Sequence, residues 1–149
     1  MIQTILLLLF FAVPAFAAGP VVLAPAPGTS ADAVARNALA QDLTQASRSG
    51  EKPLVLVGQV QLGQPTDRAA LFVQLQSARE CGSAGCSTSV LAWSPKGWRR
   101  VLDGVVGTIS VATTRHKGWA DLVADRETYV WTGQLYRNAR PVPNVRIPR

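Results

Sequence analysis

The stretch Ser89-Val90-Leu91-Ala92-Trp93-Ser94-Pro95-Lys96-Gly97-Trp98-Arg99-Arg100-Val101-Leu102 decides the fold class. Apolar and aromatic residues fill two short runs, and Ser-Pro-Lys-Gly stands between them. A proline holds φ near about −65° and a glycine accepts positive φ without steric cost, so the tetrapeptide is turn chemistry. Short runs of this kind bounded by such a turn read as strands. The segment therefore predicts an antiparallel hairpin, with Trp93 closing one strand and Trp98 opening the next.

The same grammar recurs on both sides. Lys96-Gly97-Trp98-Arg99-Arg100-Val101-Leu102-Asp103 is echoed 21 residues later by Lys117-Gly118-Trp119-Ala120-Asp121-Leu122-Val123-Ala124. Each copy is a glycine turn, an aromatic that opens a strand, and an apolar pair. Two copies are too few for a propeller or solenoid and fit successive hairpins of one sheet. Further strands are predicted over residues 108–113 and 128–132, the latter turning at Gly133 into Leu135-Tyr136-Arg137. Upstream, Leu54, Leu56, Gly58, Val60 and Leu62 alternate with Val55, Val57, Gln59 and Gln61, a strand buried on both faces at its start. After a turn at Gly63-Gln64-Pro65-Thr66-Asp67, Leu71, Val73 and Leu75 share one face. About seven or eight short strands at spacings of about 8–12 residues predict an antiparallel, meander-like sheet or barrel.

Ahead of the strands the period changes. Thr29 or Ser30 is suited to cap a helix, and Asp32 falls in the first turn, where the helix dipole favours negative charge. Ala31, Val34, Ala35, Ala38, Leu39, Leu43 and Ala46 recur at the helical spacing, and Gly50 with Pro53 ends the pattern. One helix is expected beside the sheet, its stripe mostly alanine and so suited to close packing. The fold class is mainly β (α+β). Residues 18–28 are Pro- and Ala-rich and read as a linker. One domain is expected over residues 29–137, a normal size for a single core.

The first residues set the expected compartment. Ile5-Leu6-Leu7-Leu8-Leu9-Phe10-Phe11-Ala12-Val13 is an unbroken apolar run, shorter than the ~20 residues needed to span a bilayer. Pro14 and the small-x-small site Ala15-Phe16-Ala17 follow, so residues 1–17 read as a signal peptide cleaved after Ala17. The mature protein is expected in the periplasm or outside the cell, with no membrane span left. Two cysteines, Cys81 and Cys86, then read as a disulfide that pins Gly82-Ser83-Ala84-Gly85. Two cysteines and one histidine are too few for a zinc site, so no metal is expected, and no cofactor motif is present.

The formal net charge is +6, and 12 of the 15 basic residues are arginine. That balance favours an acidic partner, or serves solubility alone. The segment 138–149 holds Pro141, Pro143 and Pro148 with Arg140, Arg146 and Arg149 and no acid, and reads as a basic, extended tail.

Catalytic grammar is thin. Ser110, His116 and Asp121 contain the residue types of a triad, but a triad is defined by geometry, and Arg115-His116-Lys117-Gly118 also reads as a surface turn. Asp121, Asp125 and Glu127 are the closest carboxylates, and Asp125-Arg126-Glu127 sits where a hairpin must turn. Trp93, Trp98, Trp119 and Trp131 are the most distinctive signal. Such rings either stack on sugars or bases beside arginine, or supply the core of a small sheet domain.

An exported chain with a helix, a strand, a C-x4-C loop and another strand resembles the periplasmic inhibitors of vertebrate-type lysozyme, the Ivy family. The resemblance is carried by Phe72 to Ser94, FVQLQSARECGSAGCSTSVLAWS. It implies a protruding disulfide loop that enters a partner's cleft. In the family a histidine and polar neighbours stand between the cysteines; here those positions are Gly82, Ser83, Ala84 and Gly85, so that inhibitory chemistry is absent. The chain also resembles exported bacterial proteins with a Gly-Cys strand followed by Gly-Trp hairpins.

The expectation is an exported, non-catalytic binding or inhibitor protein. Its site would comprise the Cys81–Cys86 loop (Gly82, Ser83, Ala84, Gly85) with Trp98, Arg99 and Trp119. The partner would be a protein or an anionic envelope glycan rather than nucleic acid. A glycan-binding or glycan-cleaving envelope domain is the alternative, and it requires two tryptophans exposed on one face. An enzyme would require His116 beside a buried carboxylate.

Overall fold

The computed structural model describes residues 18–140. Residues 1–17, expected as a signal peptide, and most of the segment 138–149, expected as a basic tail, lie outside the described residues. Ten strands and two helices follow one another as β1 Gly19–Pro20, α1 Ser30–Ala38, α2 Ala40–Arg48, β2 Leu54–Val60, β3 Ala70–Gln76, β4 Cys81–Gly82, β5 Gly85–Ser94, β6 Gly97–Val106, β7 Ile109–His116, β8 Trp119–Ala124, β9 Glu127–Trp131 and β10 Tyr136–Asn138. The seven longer strands match the seven main strands legible in the sequence. All pairings are antiparallel.

Two sheets form rather than one barrel. The first has the order β2-β3-β5-β6, with the short β4 folded back on the start of β5; the second has the order β1-β7-β8-β9-β10. Strand alternation explains how they stack. Val55, Val57, Leu71, Val73, Leu75 and Leu91 point from the first sheet toward Ala31, Ala35 and Leu39 of the helical segment. Their neighbours Ala70, Phe72, Val90 and Ala92 point the other way, onto Ile109, Val111, Ala120, Leu122 and Trp131 of the second sheet. The first sheet is thus buried on both faces, in the order helices, first sheet, second sheet.

The helical stripe divides where the sequence predicts one helix. Thr29 caps α1, its hydroxyl accepting from the Asp32 amide at 3.1 Å, and Arg36 pairs with Asp32 at 2.8 Å. At Leu39 the backbone leaves helical values (φ −102°, ψ 11°) and α2 starts afresh without a side-chain cap. Leu39 is the first large side chain of the stripe, and it is buried against the sheet. The chain bends where this residue is held. Gly50, at φ +76°, ends α2, with the Glu51 amide donating to the Ala46 carbonyl at 3.0 Å.

Residues 18–28, expected as a linker, are stitched into both sheets. Gly19 and Pro20 pair with Val111 and Ser110 of β7, and Ala24 exchanges two backbone hydrogen bonds with Val57 of β2. Val21 and Leu23 pack against the inter-sheet core. Gly58 makes this crossing possible: a Cβ there would stand 2.7 Å from the Val22 carbonyl oxygen.

The two glycine-turn copies occupy equivalent hairpins. Trp93 pairs with Trp98 across β5–β6, and His116 pairs with Trp119 across β7–β8. In the second hairpin Lys117 (φ 48°) and Gly118 (φ 84°) both take positive φ, the backbone of a type I′ turn that matches strand twist.

Candidate binding site

Helix α1 does not cover the whole outer face of the first sheet. Beyond its packed side, two cavities of about 360 and 480 Å³ lie between helix and sheet, and both are lined by Val34 and Trp98. The first also holds Ser30, Gln59, Arg68 and Leu71; the second holds Asn37, Leu91, Trp93 and Arg100. Together they form a groove with Trp98 in its middle. Each volume falls in the ligand-pocket range of about 300–1,000 Å³.

Register puts these side chains on one face. Leu91 faces Arg100 and Trp93 faces Trp98 across the β5–β6 ladder, and Leu91 is itself part of the helix-side core. The Trp93 and Trp98 rings meet edge to face, with centroids 5.6 Å apart and planes at 73°. Trp98 is partly buried against the helix-side core, whereas Trp93 is 42% exposed. One exposed and one half-buried ring thus share this face, in place of the two exposed tryptophans expected for a glycan-binding domain. The guanidinium carbon of Arg68, from the β2–β3 loop, sits 4.2 Å from the centroid of Trp93, within cation–π range. Among the described residues Arg68 has no carboxylate partner. Arg100 is committed elsewhere: it donates to Asp103 at 2.9 Å and to the Ala38 carbonyl, at the end of α1, at 3.0 Å. No acidic residue lines either cavity among the described residues.

The other expected site residues lie apart from this groove. Cys81 and Cys86 form a disulfide. Gly82, Ser83, Ala84 and Gly85 are exposed at the tip of the hairpin it closes. That tip is at the start of β5 and Trp93 near its end, about 26 Å away at about 3.3 Å per residue. Loop and tryptophans are therefore separate features, not one surface. Arg99 neighbours Trp98 in sequence but pairs with Ala92, whose side chain faces the inter-sheet core, so it lies on the opposite face of the hairpin. Trp119 belongs to the interior: it stacks on Trp131 at 4.4 Å and 13°, and both lean on Tyr136. The Tyr136 hydroxyl donates to the Ala120 carbonyl at 2.7 Å. Burial first, and the Asp121 carboxylate second, push that phenol well above its usual range, with Arg115 opposing.

His116 stands beside a buried carboxylate. Its Nδ1 lies 2.8 and 2.9 Å from the two Asp121 oxygens, and the Thr114 hydroxyl donates to Asp121 at 2.6 Å. The pairing was readable once Lys117-Gly118 is taken as the turn, because counting outward sets Thr114 opposite Asp121. Ser110 is six residues from His116 on β7 and faces Val123, so Ser110, His116 and Asp121 do not assemble as a triad. Thr114 spends its hydroxyl on the aspartate, not on the imidazole. The cluster thus ties down the β-bulge that the ladder shows between Val111 and Arg115.

The three clustered acids also separate. Asp121 is buried, while Asp125 and Glu127 border a depression of about 850 Å³ with Gly104, Val105 and Tyr129. Both belong to one hairpin turn rather than to opposite walls of a cleft. Glu127 accepts from the Tyr129 hydroxyl at 2.6 Å; burial, then this carboxylate, pushes the phenol up to about 12. Although this depression is larger, its acids offer no pair placed for glycoside cleavage. Among the described residues no group of three or more His, Cys, Asp or Glu is placed to hold a metal ion, and no helix is long and apolar enough to cross a membrane.

Sequence reasoning placed Trp98 in the site, named Trp93 only among the distinctive tryptophans, and missed the rest of the groove. Trp93 was recoverable as the cross-turn partner of Trp98. Arg68 reaches the site from a loop, and no periodicity marks it.

The chain matches no family model, no curated protein and no solved structure.

Proposed function

We propose that this chain is an exported, non-catalytic binding protein of the bacterial cell envelope, and that its ligand sits in the groove between α1 and the first sheet. One observation carries the reading: the Trp93–Trp98 pair at the groove, with the guanidinium of Arg68, which has no carboxylate partner among the described residues, seated on the exposed ring. Large exposed apolar rings are the informative exceptions on a protein surface. The groove offers aromatic faces, amides and guanidinium groups, which bind; no histidine or carboxylate lines it among the described residues. The apolar leader, the Ala15-Phe16-Ala17 site and a disulfide consistent with an oxidising compartment support export.

The exposed, disulfide-closed tip at Gly82–Gly85 favours a second reading, docking of the loop into a protein partner, since a pinned loop loses little entropy on binding. One experiment separates the two. Affinity capture from a soluble cell-envelope extract is run with the wild type, a Trp93→Ala/Arg68→Gln variant and an Ala84→Glu loop variant. The groove reading expects capture to survive the loop change and fail with the groove change. The reverse pattern establishes the loop reading, and no capture by any bait overturns both.

A further inference from the structure

We infer that the groove takes a saccharide carrying carboxylates, with a sugar ring against Trp98 and a carboxylate on Arg68. The inference rests on the reading of the groove as the ligand seat and names what fills it.

Charge supplies the first half. Among the described residues the groove contains no acid, and its two arginines are not equivalent. Arg100 is neutralised by Asp103 and fixed on the end of α1. Arg68 is held in place by Trp93, yet its N–H groups donate to no described residue. A planar guanidinium with an unused fork of donors matches a carboxylate bidentately, and its place on an indole cuts the entropy lost on pairing. One cation without a carboxylate partner among the described residues suits a singly charged carboxylate better than a phosphate monoester carrying about −1.5 to −2.

The floor of the groove supplies the second half. Leu71 and Leu91 belong to β3 and β5, and each of these strands is hydrogen-bonded on both sides. The floor at Leu71 and Leu91 therefore presents no free backbone edge, and strand addition by an extended peptide is confined to the outer edges of β6 and β2 at the margins of the groove, which the hexaglutamate probe below tests. The polar side chains of Ser30, Asn37, Gln59 and Arg68 interrupt the apolar lining, so the groove lacks the continuous apolar track that an amphipathic helix seeks. What remains are aromatic faces and side-chain hydrogen-bonding groups. The side-chain amides of Asn37 and Gln59 make no hydrogen bond to a described residue. A pyranose presents the complement, a face of C–H bonds for an indole and a rim of hydroxyls for amides.

Isothermal titration of the protein with three probes tests this: a hexamer of galacturonic acid, its fully methyl-esterified form and hexaglutamate. The acidic hexamer is expected to bind, the ester to bind at least about tenfold more weakly, and hexaglutamate to give no heat of binding. Arg68→Gln, an exposed change outside the core, is expected to weaken the acidic hexamer by about tenfold or more and to leave the ester unaffected. Equal binding of acid and ester overturns the carboxylate, comparable binding of hexaglutamate overturns the saccharide, and no binding of either hexamer overturns the inference outright. The capture experiment is independent of these probes: loss of capture with the groove variant beside failure of both hexamers leaves the groove standing and this ligand class rejected.

Discussion

Trp93 and Trp98 stand directly opposite each other across one hairpin, 5.6 Å between ring centroids, yet only Trp98 packs against the helix-side core. The two rings therefore divide the work of the site. Trp98→Ala removes ring surface from beneath α1 and is expected to lower unfolding free energy by about 2–3 kcal/mol. Trp93→Ala removes a ring that is 42% exposed and is expected to cost less than Trp98→Ala, about 1 kcal/mol. Urea unfolding of the two variants checks the order; a costlier Trp93→Ala contradicts this division.

Gly58 is where the segment 18–24 crosses the first sheet. A methyl group there meets the Val22 carbonyl at 2.7 Å and the Leu23 and Val21 side chains at 3.1 Å. Gly58→Ala is expected to destabilise by about 1–3 kcal/mol and to open residues 18–24 to proteolysis. Gly82→Ala, in open space, is the control and is expected to be neutral. Equal protease resistance in both variants would show that the crossing contributes nothing.

The strands were legible because period and turn chemistry agree at each hairpin: Ser94-Pro95-Lys96-Gly97 and Lys117-Gly118 fall where the ladders turn. The helix was legible in type but not in continuity, since its spacing runs through Leu39 unbroken, whereas the backbone leaves helical values there, at a side chain buried against the sheet. Residues 18–24 carry no strand pattern, and their pairing depends on a glycine some 35 residues away. Of the site, Trp98 was visible as an unusual residue. Its partners come from α1, β2, the β2–β3 loop and β5, and composition cannot say that these meet.

Asp121 is buried and held by His116 and Thr114, so its loss acts on the fold rather than on the groove. Asp121→Ala is expected to cost about 2–4 kcal/mol and His116→Ala, which leaves the carboxylate short of a partner, about 1–2 kcal/mol. Both variants are expected to keep wild-type groove binding. Chemical denaturation gives the costs, and a neutral His116→Ala would contradict the clamp.

The two tyrosines of the chain tie stability to alkaline pH. Tyr129 is pushed up to about 12 from an ordinary value of 10.0 and Tyr136 higher still, so the folded state keeps protons that the unfolded chain releases. Their contribution is fully present below the unfolded value and is lost as pH rises from about 10 through the folded values. Phenolate absorbance of the folded protein is expected to lag that of the urea-unfolded chain, with melting temperature falling above pH 10. Coincident titrations of the two states would contradict the burial argument.

The groove itself is tested most directly by nuclear magnetic resonance of the four indole N–H groups while soluble cell-envelope extract is added to the labelled protein. Binding at the helix–sheet groove predicts that the Trp93 and Trp98 resonances move while those of Trp119 and Trp131, stacked between the sheets, stay fixed. Shifts confined to the Gly82–Gly85 amides, with Trp93 and Trp98 unmoved, would contradict it.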